Sequence, residues 1–311
     1  MSAVEQPAPR QALTVGLVAA ALPALYTVLT AGLADDLTLR VWRAGGVVPG
    51  HMLAEPWRLV TAPLLHLDWA HLTVNGLLLG VLGAAGTMRL GPLRAALVAI
   101  FAAWMGCIAS TLAAQGWAAG ASGAVFGLLG ALTVQLLRDK RRGAIWLALL
   151  AGSLWWAVPA DKAAHLAGLV GGGLLVLLPL SARVSRVALK VAAVAMMAGL
   201  VGVAHHVATD ADVPDDWATY DGLAVPAAWG EGVPIAPCTR AWTDGLSTLC
   251  LAARPPEELP GVETHVLPDG RHLLTHAVSP AARAFRAPLF AAARDRTMKI
   301  IAPAPSAGPR D

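Results

Sequence analysis

The chain has 311 residues, of which 56% are hydrophobic and 14% charged, and its mean hydropathy is +0.60. Soluble proteins average roughly 25% charged residues, so this composition excludes an ordinary soluble globule and points to a protein of the bilayer. The formal net charge is +3, with Lys and Arg gathered between apolar runs, which leaves no electrostatic footprint for nucleic acid.

In chain order, seven apolar runs approach the ~20 residues that cross a bilayer: 13–33, 69–88, 93–114, 122–137, 144–158, 163–180 and 187–207. The fourth, fifth and sixth are short. Residues 1–12 are expected to be a cytoplasmic N-terminal segment. The first run reads as a retained span; the alternative is a signal peptide cleaved after "GLA", although its apolar run exceeds the usual ~7–15 residues. Between the runs, "RLGPLR", "RDKRRG", "VPADK" and "SARVSR" carry turn and charge signals.

Cytoplasmic loops concentrate Lys and Arg, and "RDKRRG" is the densest such cluster. Placing it inside puts the N-terminus inside and everything after Val207 outside. Arg40, Arg43 and Arg58 then fall in an outer loop, against the trend, while Trp117, Trp155 and Trp156 fall at outer ends as an interfacial aromatic belt would.

After Val207 the composition turns acidic and polar, in "ATDADVPDDWATYDG", and then alternates, in "ETHVLPDGRHLLTHAV", where "PDG" separates two strand-like segments. Residues 208–301 are therefore expected to form a small extracytoplasmic domain, mainly β or α+β, and 302–311 a disordered tail. Outside the cytoplasm Cys238 and Cys250 would form a disulfide; two free thiols is the other reading. Cys107, within an apolar run, reads as a small packing residue. His272 and His276 of "HLLTH" lack further ligands at a recognisable spacing for a metal site.

Ionisable residues inside spans are rare and are candidates for function. His71 in the second span and His165 in the sixth both lie near the outer end, where Ser122 begins the fourth. Serine is a poor nucleophile until a base takes its proton, and neutral histidine suits that role. Either histidine alone reads equally as a packing residue; the three together suggest a Ser-His dyad. His71 and Asn75 share a helical face four residues apart and could donate to a developing oxyanion, or could form an interhelical hydrogen-bonding pair. Gly123 and Gly127, and Ala164, Gly168 and Gly172, form small faces that allow the helices of Ser122 and His165 to approach closely.

The stretches "GASGAVFG", "AHLAGLVGG", "HLDWAHLTVN" and "WRLVTAPLLH" together resemble the rhomboid family of intramembrane serine proteases. The last two are similar to its rhombosortase branch, which is associated with C-terminally anchored surface proteins. The resemblance implies an all-α, polytopic six-helix bundle over 13–182, to which 183–207 adds a seventh span. It implies Ser122 as nucleophile, His165 as base, and an oxyanion hole from the Ser122 N–H, His71 and Asn75. Gly120, Gly123, Phe126, Gly168, Gly172, Trp57 and Arg58 occupy supporting motif positions, with Phe126 packed on the histidine. Expected partners are the bilayer of a bacterial inner membrane and single-span or C-terminally anchored membrane proteins, with no metal or cofactor. A pseudoprotease that binds helices without cleaving them is the alternative. One departure is "TMRLG", where Thr87 precedes Arg89 in place of the family's Glu, removing a structural ion pair.

Overall fold

In the computed structural model the chain divides into two compact units, Met1–His206 and Val207–Asp311. The structure describes residues 7–35, 37–47, 55–113, 118–157, 161–209, 217–227, 229–232, 234–235, 237–243, 247–254, 262–277 and 280–301. The expected disordered tail, the first six residues of the expected N-terminal segment 1–12 and Trp117 lie outside them.

The first unit is helical. Its long helices are α1 (Pro9–Thr30), α4 (Trp69–Leu90), α5 (Pro92–Leu112), α6 (Ser122–Arg138), α7 (Gly143–Ala157), α8 (Lys162–Leu177) and α9 (Ala182–Thr209). Two short helices that the apolar pattern does not signal, α2 (Leu37–Arg43) and α3 (Arg58–Thr61), fold the segment between α1 and α4. Among the described residues, four helices are long and apolar enough to cross a membrane: Pro9–Leu33 (counting a terminal 3-10 turn), Trp69–Leu90, Pro92–Leu112 and Ala182–Ala208. The other three runs form apolar helices of 17, 15 and 16 residues, shorter than a full span.

Local chemistry fixes the helix ends. Asp68 caps α4, its side chain accepting from the His71 N–H, and Asp161 caps α8 by accepting from Ala164. Between α4 and α5 the sequence is Leu-Gly-Pro: Gly91 takes φ +82°, a left-handed value that favours glycine, and Pro92 opens the next helix. Thr87 is wholly buried near the end of α4 while Arg89 is exposed, so neither makes the ion pair that a glutamate at 87 would allow.

Helix α6 is the centre of the bundle. It packs on α4, α5, α7 and α8, and every residue from Gly123 to Leu132 is buried. Its contact with α8 leaves no room for side chains. A Cβ on Gly168 would come 2.4 Å from the Gly123 carbonyl oxygen, one on Gly172 2.1 Å from that of Gly127, and one on Gly130 2.0 Å from that of Leu169. In a bilayer, where apolar burial no longer drives helices together, such close backbone packing is a main source of association. Helix α9 turns Val184, Val187, Val191, Val194, Met197 and Val201 outward, a stripe at helical spacing suited to lipid.

The second unit is α+β. Strands β1 (Trp217–Tyr220) and β2 (Leu223–Pro226) form a hairpin whose two turn residues, Asp221 and Gly222, both have positive φ. Strands β3 (Gly230–Gly232), β4 (Ala241–Thr243), β5 (Ser247–Ala252), β6 (Val262–Val266) and β7 (His272–Ala277) make an antiparallel sheet in the order β3-β4-β5-β7-β6. The β6–β7 turn is the "PDG" stretch, with Gly270 at φ +82°. Helix α10 (Pro280–Ile301) packs on β2, β5 and β7. Cys238 and Cys250 are bonded, with Cα atoms 6.1 Å apart, inside a cluster with Ala241, Ala252 and Leu274.

The α6–α8 contact yields a paired expectation. Gly172→Ala drives a methyl into backbone, and such overpacking costs about 1–3 kcal/mol. Gly152→Ala, with nothing within 4 Å of the added atom, is neutral to stabilising by up to about 1 kcal/mol. Thermal unfolding of the two proteins in the same detergent measures the difference.

Candidate active site

Ser122 is the first residue of α6, and its predecessor Ala121 supplies no side-chain cap. The N–H groups of a helix's first turn lack intrahelical partners, so the serine sits where backbone donors and the positive end of the helix dipole converge. A cavity of about 710 Å³ opens at this point. Ser122, Gly120, Gly123, His71, Asp161 and His165 are among its walls, together with Gly106 and Cys107 of α5.

His165 is 2% exposed. Its ring stacks on Phe126, one turn beyond Ser122, with centroids 4.3 Å apart and planes inclined by 13°. Both ring nitrogens are buried without a hydrogen-bond partner, as is Asp161 Oδ2 in the same wall. Ser122 and His165 thus share one cavity without a hydrogen bond joining them, and catalytic hydrogen bonds commonly tighten only once substrate is bound. Gly168 and Gly172 follow His165 on α8 and hold that helix against α6 through the contacts given above.

His71, on the first turn of α4, faces Gly120. Gly120 has φ +124°, and a Cβ there would lie 2.6 Å from the His71 ring. The first glycine of "GASG" therefore serves both the turn and the approach of the histidine. Asn75, 4% exposed, is buried one turn further along α4 and is not part of the cavity wall. Trp57 and Arg58 also lie outside the wall. Arg58 is 1% exposed; its Nε donates to Glu55 Oε2 at 2.7 Å, and its Nη1 donates to the carbonyls of Trp42 and Gly46 at 2.7 and 3.0 Å.

One residue of the site was not singled out from the sequence. His66, wholly buried, places its ring edge-on to His71 at 4.9 Å. Its Nδ1 lies 3.2 Å from the Leu64 carbonyl and its Nε2 accepts from the Ala121 N–H at 3.4 Å. A carbonyl can only accept, so Nδ1 carries the hydrogen and the ring is neutral. Burial, aided by His71, pushes its pKa down to about 4. It thereby fixes the backbone immediately before Ser122. The signal was present in "HLDWAH", where His66 lies five residues before His71.

Residues 53–183 match the Rhomboid domain family model. That segment of the chain is a Rhomboid domain. It is 36% identical over 126 residues to rhomboid protease GluP of Bacillus subtilis, covering 38% of this chain and 25% of that protein. It is 29% identical over 161 residues to rhomboid protease GlpG of Salmonella newport and of Salmonella typhi, covering 49% of this chain and 58% of each. The chain thus spans a quarter to somewhat over half the length of these relatives. The matched segment contains every described wall residue of the cavity and excludes α1, all but the first two residues of α9, and the whole second unit.

A buried histidine whose pKa is lowered on folding stabilises the fold above its unfolded value near 6.5, and that stability is lost as pH falls towards about 4. Between those values the slope attributable to His66 approaches about 1.4 kcal/mol per pH unit. His66→Gln, which cannot titrate, is expected to flatten the pH dependence of unfolding over this range. Denaturation of both proteins between those pH values measures it.

Proposed function

We propose that the chain is an intramembrane serine endopeptidase that cleaves transmembrane segments of membrane-anchored proteins near their extracytoplasmic end. The observation that carries this reading is the single cavity in which Ser122, at an uncapped helix start, meets the stacked and otherwise unpartnered His165. Relatives named as proteases support it.

The geometry supports the following sequence of steps. Neutral His165 takes the Ser122 proton as Oγ attacks the peptide carbonyl. Negative charge develops on the carbonyl oxygen, where the Ser122 N–H and His71 supply donors. The imidazolium then protonates the leaving amine, and water, activated by the same histidine, releases the acyl group. Phe126 holds the imidazole plane throughout. Asn75, one turn along α4 from His71, is the further donor proposed for the carbonyl oxygen.

The proposed setting is a bacterial inner membrane, with the N-terminus cytoplasmic and the cavity and second unit outside. That placement supplies the oxidising compartment that a Cys238–Cys250 bond requires. The proposed substrates are single-span or C-terminally anchored membrane proteins.

Purified protein reconstituted with a single-span reporter substrate is expected to release its outer fragment. Ser122→Ala and His165→Ala each abolish cleavage, and the double change costs little more than either, because residues acting as a unit are not additive. His71→Ala lowers kcat by about 100- to 1000-fold. Asn75→Ala lowers it less. Cleavage that survives Ser122→Ala would end the serine mechanism; helix binding without cleavage by wild type would favour the pseudoprotease reading.

A further inference from the structure

All but the first two residues of helix α9 lie outside the matched rhomboid segment, yet the helix is tied to the loop that shapes the active site. Gly199 and Gly202 bring it close: a Cβ on Gly202 would lie 2.7 Å from the Trp57 ring, and one on Gly199 3.3 Å from Val60 of α3. One turn on, His206 places its ring 4.1 Å from Trp42 and 5.6 Å from Trp57, centroid to centroid. Its Nε2 lies 3.2 Å from Arg58 Nη2, and its Nδ1 3.5 Å from Glu55 Oε1. A guanidinium has donors only. Nε2 is therefore the acceptor, and Nδ1 presents its hydrogen to the carboxylate.

From Arg58 the chain of contacts runs to the nucleophile along two short paths. Arg58 Nη1 holds the Gly46 carbonyl, and the next residue, Val47, exchanges backbone hydrogen bonds with Ala118 at 2.8 and 3.1 Å. Arg58 also opens α3, and Ala62 at the end of that helix accepts from the Gly120 N–H at 2.9 Å. Ala118 and Gly120 immediately precede Ser122. The orientation of the loop that delivers Ser122 thus rests on a buried guanidinium whose position is shared among Glu55, two carbonyls and His206.

We infer that His206 of α9 is a positioning residue for Ser122, acting through Arg58 and the 118–121 loop, so that the helix beyond the family segment is a working part of the active site. This deepens the proteolytic reading and rests on it for its consequence, although the physical coupling does not. Phenylalanine at 206 keeps a ring between the two tryptophans but neither accepts from Arg58 nor donates to Glu55. Glutamine does both without a ring.

The test combines hydrogen exchange with kinetics on the full chain in nanodiscs. His206→Phe is expected to speed exchange at the Val47, Ala118 and Gly120 amides and to lower kcat per folded molecule by about tenfold or more at unchanged KM, as small misplacements of reacting groups do. His206→Gln is expected to restore most of both. Exchange and kcat at wild-type values in His206→Phe, even with a lowered melting temperature, would overturn the inference and reduce His206 to a packing residue. Faster exchange in a protein whose wild type cleaves nothing would uphold the coupling and remove proteolysis instead.

Discussion

The rest of the first unit depends on two helices coming together with no side chain between them. The Gly123, Gly127 and Leu169 carbonyls occupy the space where Cβ atoms of Gly168, Gly172 and Gly130 would stand. Ser122 heads one of these helices and His165 lies in the first turn of the other, so the separation of the proposed nucleophile and base is set by backbone contact and not by the reach of flexible side chains. A Cβ on Gly127 would also lie 2.1 Å from that of Ala102, which fixes α5 as well. A bundle built this way has little slack. It holds polar groups in fixed relation where water is scarce, the condition under which a histidine and a helix start exert their largest electrostatic effect.

The loop side of the site is organised by a different constraint, the burial of a charge. An isolated guanidinium out of water is very costly, and removing one partner of a buried ion pair is commonly worth about 3–5 kcal/mol. Arg58 meets this cost by drawing Glu55, the Trp42 and Gly46 carbonyls and His206 around it, and those same groups define how the chain runs from α1 to α4. His66 does comparable work nearer the serine with a neutral ring. The cavity therefore has one wall of close-packed glycine helices and another of hydrogen-bonded loop, and the 118–121 stretch is where they meet.

How much of this was legible in the sequence varied with the range of the interaction. Helix positions were readable because apolar runs and local punctuation such as "LGP" act within a few residues, and the seven runs all appear as helices. The "PDG" hairpin was readable for the same reason; the equally local "DG" turn between β1 and β2 lay unnoticed inside a segment read only as acidic. Phe126 lies against His165, the contact the family motif implies, whereas the contact of Gly120 with His71 has no counterpart in the sequence reading. The part of His66 was not drawn out, because its partner is the Ala121 amide, 55 residues away. Likewise nothing local to "HHV" announces that His206 reaches Arg58, 148 residues earlier. Helices α2 and α3 are too short to show a periodicity, and their form follows from the bonds of Arg58 and Thr61 to the 42–46 backbone.

The most direct test of the central claim, that backbone contact between α6 and α8 sets the reactivity of Ser122, is the rate at which a fluorophosphonate forms an adduct on that residue. It is measured by peptide mass spectrometry and normalised to folded protein, in wild type and in Gly168→Val. Both proteins retain Ser122 and His165; the variant alone carries a wedge where Gly168 now lies against the Gly123 backbone. The expected result is rapid labelling of wild type at Ser122 and labelling of the folded variant slowed by about 100-fold or more. Equal rates in the two folded proteins would contradict it, since the reactivity of the serine would then owe nothing to the closeness of the two helices.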